Sequence, residues 1–239
     1  MIGTEVLDNP GAEPAAVRAT LRDIARLNAL FGGTRAVVEA LEPYFRAAGE
    51  RGKREGGRGK GAERWTLLDV GTGLGDIPRA AAAAARRHGV ALTLVGIERI
   101  PAAARLARAA SDELAVILAD GTALPIRPRS VDVVIASQVL HHLSRATAVR
   151  WIGAFDRLAR RAVVLADLRR SRVAMAGIWL ASFALQFSRV TRHDAVVSLR
   201  RGYTKREFDE MLSAAGVPTR ARYRPGFRVV AAWAPDADR

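Results

Sequence analysis

LLDVGTGLGDIP, residues 67–78, runs from an apolar, β-rich segment through glycines at 71, 73 and 75 into an alanine-rich helical segment. Glycine is required in such a turn because the backbone bends sharply and a ligand can lie against it with no Cβ in the way. Nucleotide-binding strand–turn–helix units share this device. The spacing here is G-x-G-x-G rather than G-x-G-x-x-G, and Asp69 stands two residues ahead of the first glycine. A carboxylate at that place suits the amino end of a zwitterionic amino-acid ligand and is badly placed for a pyrophosphate. Asp69, Gly71, Thr72 and Gly73 are therefore candidate ligand contacts.

Outward from this turn, short apolar runs alternate with helical ones. Strands are expected at 66–70, 92–97, 114–119, 131–136 and 162–167, and helices at 76–88, 101–110 and 146–159. Pro78 and Pro101 fall in the first turns of two of these helices, where a missing N–H does little harm. Nearly continuous apolar strands joined by crossover helices imply a parallel sheet covered on both faces. Towards the end the rhythm changes to a helix at 204–215 and strands near 219–223 and 227–233, with Pro225-Gly226 between them, which predicts an antiparallel edge hairpin.

Two further carboxylates fall at strand ends. Glu98 closes VGIE, where an acid can accept from both ribose hydroxyls of a nucleoside. Asp120 follows the third strand, placed to accept from an adenine amino group, while the Gly121-Thr122 backbone reaches the ring edge. Asp132 opens the fourth strand and reads as structural. The glycine loop, Glu98 and the block LADGTALPIRPRSVDVVIASQVLHHL (118–143) together resemble the class I S-adenosylmethionine (SAM)-dependent methyltransferases, especially the branch of ubiquinone and menaquinone biosynthesis. The resemblance covers about 65–167 and extends weakly through 204–233. It implies a Rossmann-like, doubly wound, seven-stranded, mostly parallel sheet with a reversed last strand, and SAM as cofactor across the carboxyl ends of the first strands. Asp69, Gly71, Gly73, Glu98 and Asp120 carry over as cofactor contacts, with Thr72 and Gly121 beside them.

His141 and His142 follow the fourth strand, near the place of a methyl acceptor. An imidazole there can act as general base on a hydroxyl, its unperturbed pKa of about 6.5 suiting neutral pH. The competing reading is a structural turn with one ring bonded to backbone. His193 is a second candidate base, and His88 is expected to be exposed at a helix end. The Asn-Pro-Pro-Tyr type of signature used for N-methylation of bases or glutamine is absent; Ser137-Gln138-Val139-Leu140 stands there instead.

The chain has 239 residues, no cysteine and a net charge of +14, so disulfides and thiolate metal sites are excluded, and no metal site is expected. No secretory leader is read at the N-terminus, and a cytoplasmic protein is expected, with peripheral membrane contact as a further option. Three parts are expected: a helical N-terminal extension (1–50), a flexible basic linker (51–64), and a methyltransferase domain (65–239) with a helical cap inserted at 168–203. In that cap, Val173–Phe187 is a run of 15 residues without a charge. A bilayer span needs roughly 20 residues. The run is therefore a buried helix, a lid or an interfacial segment; over the acceptor it would form an apolar roof carrying Met175, Ile178, Trp179, Phe183 and Phe187. A small lipophilic, hydroxylated or quinone-like acceptor follows, with O- and C-transfer both open. Residues 169–206 hold eight arginines and Lys205 against Asp194. That charge keeps two alternatives in play, an RNA acceptor or an anionic membrane surface from which a lipid-like substrate is drawn. A non-catalytic SAM-fold binding module is the remaining alternative.

Overall fold

The computed structural model describes residues 3–54, 62–121, 124, 126–187 and 189–236. Its centre is one seven-stranded sheet of order β3-β2-β1-β4-β5-β7-β6. The strands are β1 (Glu63–Val70), β2 (Val90–Glu98), β3 (Leu114–Leu118), β4 (Val131–Ser137), β5 (Ala159–Leu168), β6 (Arg222–Arg224) and β7 (Arg228–Trp233). β1 to β5 are mutually parallel, while β7 runs antiparallel to β5 and pairs with β6 as the expected hairpin. β1 and β4 are neighbours at the centre although the chain leaves them in opposite directions along the sheet. That switch opens a crevice at the carboxyl ends of the strands, where open α/β sheets take their ligands.

Side chains alternate across the strands and bury both faces. Leu67, Val133, Ile135 and Val164 pack under α2 (Gly33–Arg54), α3 (Asp76–Arg87) and α4 (Pro101–Ala110). Leu68, Val134, Val163 and Leu165 pack under α5 (Arg145–Leu158) and α8 (Lys205–Ala214). The helices on the first face offer mainly alanine, so they lie close to the sheet.

The N-terminal helices α1 (Pro14–Leu30) and α2 meet at Gly32-Gly33, with Gly32 at φ 75°. α2 runs to Arg54 and β1 begins at Glu63, so both ends of the 51–64 stretch enter regular structure, and 55–61 lie outside the described residues. The insertion after β5 holds two helices, α6 (Arg172–Ala184) and α7 (Arg189–Arg201), where the sequence signalled one uncharged segment. α6 starts at Ser171, whose hydroxyl accepts from the Ala174 N–H. Among the described residues no helix is long and apolar enough to cross a membrane.

Candidate active site

The crevice is a cavity of about 400 Å³ roofed by α1, α6, α7 and the N-terminal segment. At its β1–β2 end the glycine loop folds over the strand beside it: Gly71 and Thr72 donate their N–H groups to the Ile97 carbonyl at 2.9 and 3.1 Å. Gly71 has φ 79°, and a Cβ there would lie 2.4 Å from the Val139 side chain. No other residue fits.

Three carboxyls converge at this end. Asp69, only 2% exposed, is pushed up to about 7, first by burial and then by the charges of Asp76 and Glu98, with the Thr72 hydroxyl offsetting part of the rise. Burial also raises Glu98, against the hydrogen bonds it accepts. Those come from Ile100 N–H at 2.9 Å and Gly73 N–H at 3.2 Å, so Glu98 ties the glycine loop to the start of α4. Asp76, at the start of α3, is raised by burial as well. A group of reluctant carboxylates is an electrostatic vacancy for a cation.

Asp120 and Gly121 line the same cavity, and Thr122 lies outside the described residues. Gly121 faces Trp151 so closely that a Cβ would stand 2.5 Å from the indole. The candidates Asp69, Gly71, Thr72, Gly73, Glu98, Asp120 and Gly121 thus line one end of one cavity. Asp132 lies elsewhere: it accepts from the Thr66 N–H at 2.8 Å and from Arg160 at 3.1 Å, a structural knot at the start of β4.

His141 and His142 occupy the opposite end, in a short 3-10 turn after β4. Their ring nitrogens bond carboxylates rather than backbone. His141 Nδ1 lies 2.6 Å from Asp167 Oδ1, and the His141 N–H also donates to Asp167 at 3.2 Å. Asp167 is fully buried at the end of β5. Burial opposes its charge, but His141, the Leu168 N–H and His142 together outweigh this and hold the carboxyl below its ordinary range. The Tyr203 hydroxyl donates to the Leu140 carbonyl at 2.8 Å and braces the turn from below. His141 Nε2 is buried, has no hydrogen-bond partner and belongs to a side chain 2% exposed. His193 lines a separate outer groove with Trp179, Arg189 and Arg192, so it is not a base for this cavity. His88 is half-buried against Glu42 at 2.8 Å rather than exposed.

Sequence reasoning missed Asp167, although the signal existed: AVVLAD is an apolar strand that ends in a carboxylate, as LLD and VGIE do. It also missed Asn28, which accepts from Gln138 at 2.6 Å and Arg228 at 3.2 Å and so pins α1 over the cavity. No local pattern marks that residue. The roof is divided as well. Ala174, Gly177 and Ile178 line the cavity, and Phe187 is buried. Trp179 and Phe183 face outward and are half-exposed, contrary to their expected place over the acceptor.

Residues 68–165 match the family described as a methyltransferase domain. No curated protein sequence gives a significant match. Among solved structures, a SAM-dependent methyltransferase from Aquifex aeolicus superposes with a TM-score of 0.59 at 16% identity, covering 92% of this chain and 97% of that one. An O-methyltransferase of neocarzinostatin biosynthesis, in complex with S-adenosyl-L-homocysteine and 1,4-dihydroxy-2-naphthoic acid, gives 0.62 at 16% identity over 97% of this chain and 62% of that one. Human N-acetylserotonin methyltransferase in complex with SAM gives 0.59 at 12% identity over 92% and 56%. Likeness at these identities speaks for the fold. The chain thus has the Rossmann-like fold of these structures, with a match to a methyltransferase domain over residues 68–165 at its centre.

Proposed function

We propose that the enzyme transfers the methyl group of SAM to a hydroxyl of a small lipophilic acceptor, aromatic or quinol-like. SAM lies with its ammonium and sulfonium towards Asp69 and Asp76, its ribose on Glu98 and its adenine by Asp120 and Gly121. The cationic cofactor supplies the charge that these buried carboxylates lack. The acceptor lies against Ile178 and Ala174 with its hydroxyl at His141.

One observation carries the choice of hydroxyl transfer: His141 lines the cavity with a buried Nε2 that has no hydrogen-bond partner, while Asp167 holds Nδ1. A carboxylate on Nδ1 takes that N–H, leaves the lone pair on Nε2, and stabilises the imidazolium once the acceptor's proton has arrived. Aligning the acceptor with the sulfonium supplies most of the rate, about 7–11 kcal/mol. The histidine adds roughly 10²–10⁴-fold. His141→Asn is therefore expected to cut turnover on a phenol by about that factor, with SAM affinity unchanged in calorimetry. The loss should shrink as pH rises and the phenol ionises unaided. Unchanged turnover, or a defect of equal size at every pH, would count against the base.

The basic stretch 169–206 supports RNA less than its sequence suggests. Arg170 pairs with Glu207, Arg201 with Glu5 and Asp8, and Lys205 with Asp209. A lipid surface is favoured instead by the outward face of α6. Val173 is 73% exposed and Leu180 63%, beside Trp179 and Phe183, with Arg189, Arg192 and Arg200 along the adjoining groove. An apolar face with a basic margin suits an anionic membrane that stores a lipophilic acceptor.

A further inference from the structure

His141 and His142 are consecutive, yet their rings lie side by side, with centroids 4.2 Å apart. Each is held from the same atom: His141 Nδ1 by Asp167 at 2.6 Å, His142 Nδ1 by Asp8 at 2.7 Å. Both rings are thereby fixed with the lone pair on Nε2. Both line the cavity, and His141 Nε2 has no hydrogen-bond partner there. A third donor comes from the N-terminal segment, where Glu5 Oε2 stands 4.0 Å from His142 Nε2. One donor atom from each of Glu5, His141 and His142 lies within 4.8 Å of the others.

Every donor is also supported from behind. Asp167 and Asp8 orient the imidazoles, and the Ser198 hydroxyl and Arg201 guanidinium hold the Glu5 carboxylate. Outer carboxylates on the far ring nitrogen, and hydrogen bonds to a ligating carboxylate, are the usual surroundings of metal ligands. The charge balance favours a cation. Glu5 and Asp194 line this end of the cavity and Asp8 and Asp167 stand behind the imidazoles, against Arg201 on Glu5 and Asp8, the buried Arg228, and Arg99 at the Leu7 and Asp8 carbonyls. Four carboxyls against three guanidinium groups leave room for added positive charge.

We propose that Glu5, His141 and His142 bind a divalent first-row transition metal ion through nitrogen and oxygen donors. Three protein ligands facing a cavity leave coordination positions open to a second molecule, as catalytic sites do and closed structural sites do not. The open positions take the acceptor's oxygen. In the ion-free protein His141 accepts the hydroxyl proton. With the ion bound, its Nε2 lone pair goes to the metal, the coordinated hydroxyl becomes more acidic, and its proton leaves to solvent. The oxygen then forms the O–CH₃ bond, the S–CH₃ bond breaks, and the sulfur keeps that electron pair as a neutral thioether. This catalytic part rests on the hydroxyl-transfer reading above; the binding site itself does not.

Titration of the tag-free, full-length chain with Co²⁺, followed by its visible absorption, tests the site without reference to activity. One Co²⁺ per chain with ligand-field bands is expected, displaced by Zn²⁺. Glu5→Gln and His142→Ala should each weaken binding by about tenfold or more, in line with outer- and inner-ligand losses at metal sites. SAM affinity, measured on the same samples, should stay at the wild-type value and show that the variants fold. Absence of the bands, or Co²⁺ affinity that neither substitution changes, would overturn the site. Methyl transfer to a phenol at an undiminished rate in excess EDTA would overturn the ion's part in catalysis and leave the histidine base standing. No transfer to any hydroxyl, with or without the ion, would instead sink the hydroxyl-transfer reading, while the Co²⁺ titration still decides the site.

Discussion

In the proposed site, Asp69 and Glu98 are the single residues that set the affinity for the cofactor. Glu98→Ala removes the acceptor of two backbone N–H groups as well as the proposed ribose partner. A lost hydrogen bond to a charged group costs about 1.5–3 kcal/mol, or roughly ten- to a hundredfold in SAM affinity by calorimetry. Wild-type affinity in a folded Glu98→Ala protein would contradict the assignment. Asp69 carries a pH signature. Its folded pKa of about 7 lies above the ordinary value of 3.8, so between those limits the folded chain holds a proton that the unfolded chain has lost. The ligand-free protein therefore loses stability as pH rises through that window. Asp69→Asn should raise its stability at about pH 8, on the order of 1–3 kcal/mol by chemical denaturation. A cationic ligand needs the charged form, so SAM affinity of the wild type relative to Asp69→Asn should climb about tenfold between roughly pH 6 and pH 8. A flat ratio would show that the carboxyl does not face the cofactor's charge. These carboxylates were legible in the sequence because each ends an apolar strand two or fewer residues from a turn. Asp167 obeys the same rule, but its partner His141 stands 26 residues away, and only the pairing of β4 with β5 brings the two together.

At the scale of elements, α6 is where pattern and position diverge. A run without charges announced burial, and helical geometry then placed Ala174, Gly177 and Ile178 inward and Val173, Leu180 and Phe183 outward. Periodicity cannot sort the faces of a helix that is apolar all round. α7, with its arginines and single carboxylate, gave no apolar stripe for the same test. The β-strands and crossover helices were readable within a few residues because their apolar runs and proline starts are local signals. The α6 face yields an expectation of its own. Trp179→Ala and Phe183→Ala should leave methylation of a water-soluble phenol unchanged, yet reduce sedimentation with vesicles rich in phosphatidylserine. Replacing Arg189 and Arg192 by glutamine should weaken the same attachment by about 1 kcal/mol per charge and reduce its salt dependence. No binding of the wild type to anionic vesicles would remove the membrane from the picture.

Across the whole molecule, the proposed cofactor end at β1 and β2 and the proposed acceptor end at β4 and β5 lie under one roof. The roof is assembled from distant parts of the chain. Asn28 joins α1 to Gln138 and Arg228, Arg201 joins α7 to Glu5 and Asp8, and Asp194 holds the Val6 N–H at 3.0 Å. None of these contacts has a sequence signature, since each depends on segments separated by a hundred residues or more. They enclose a cavity of about 400 Å³ with a largely aliphatic roof, the feature on which the proposed small acceptor rests. The most direct measurement is the fate of the methyl group. The purified enzyme, given methyl-labelled SAM with a panel of phenols, naphthols and quinols and, in parallel, with total RNA, should place label on a low-molecular-weight ether recovered in organic solvent. Label in RNA, or on carbon or nitrogen of the acceptor instead of oxygen, would contradict the account.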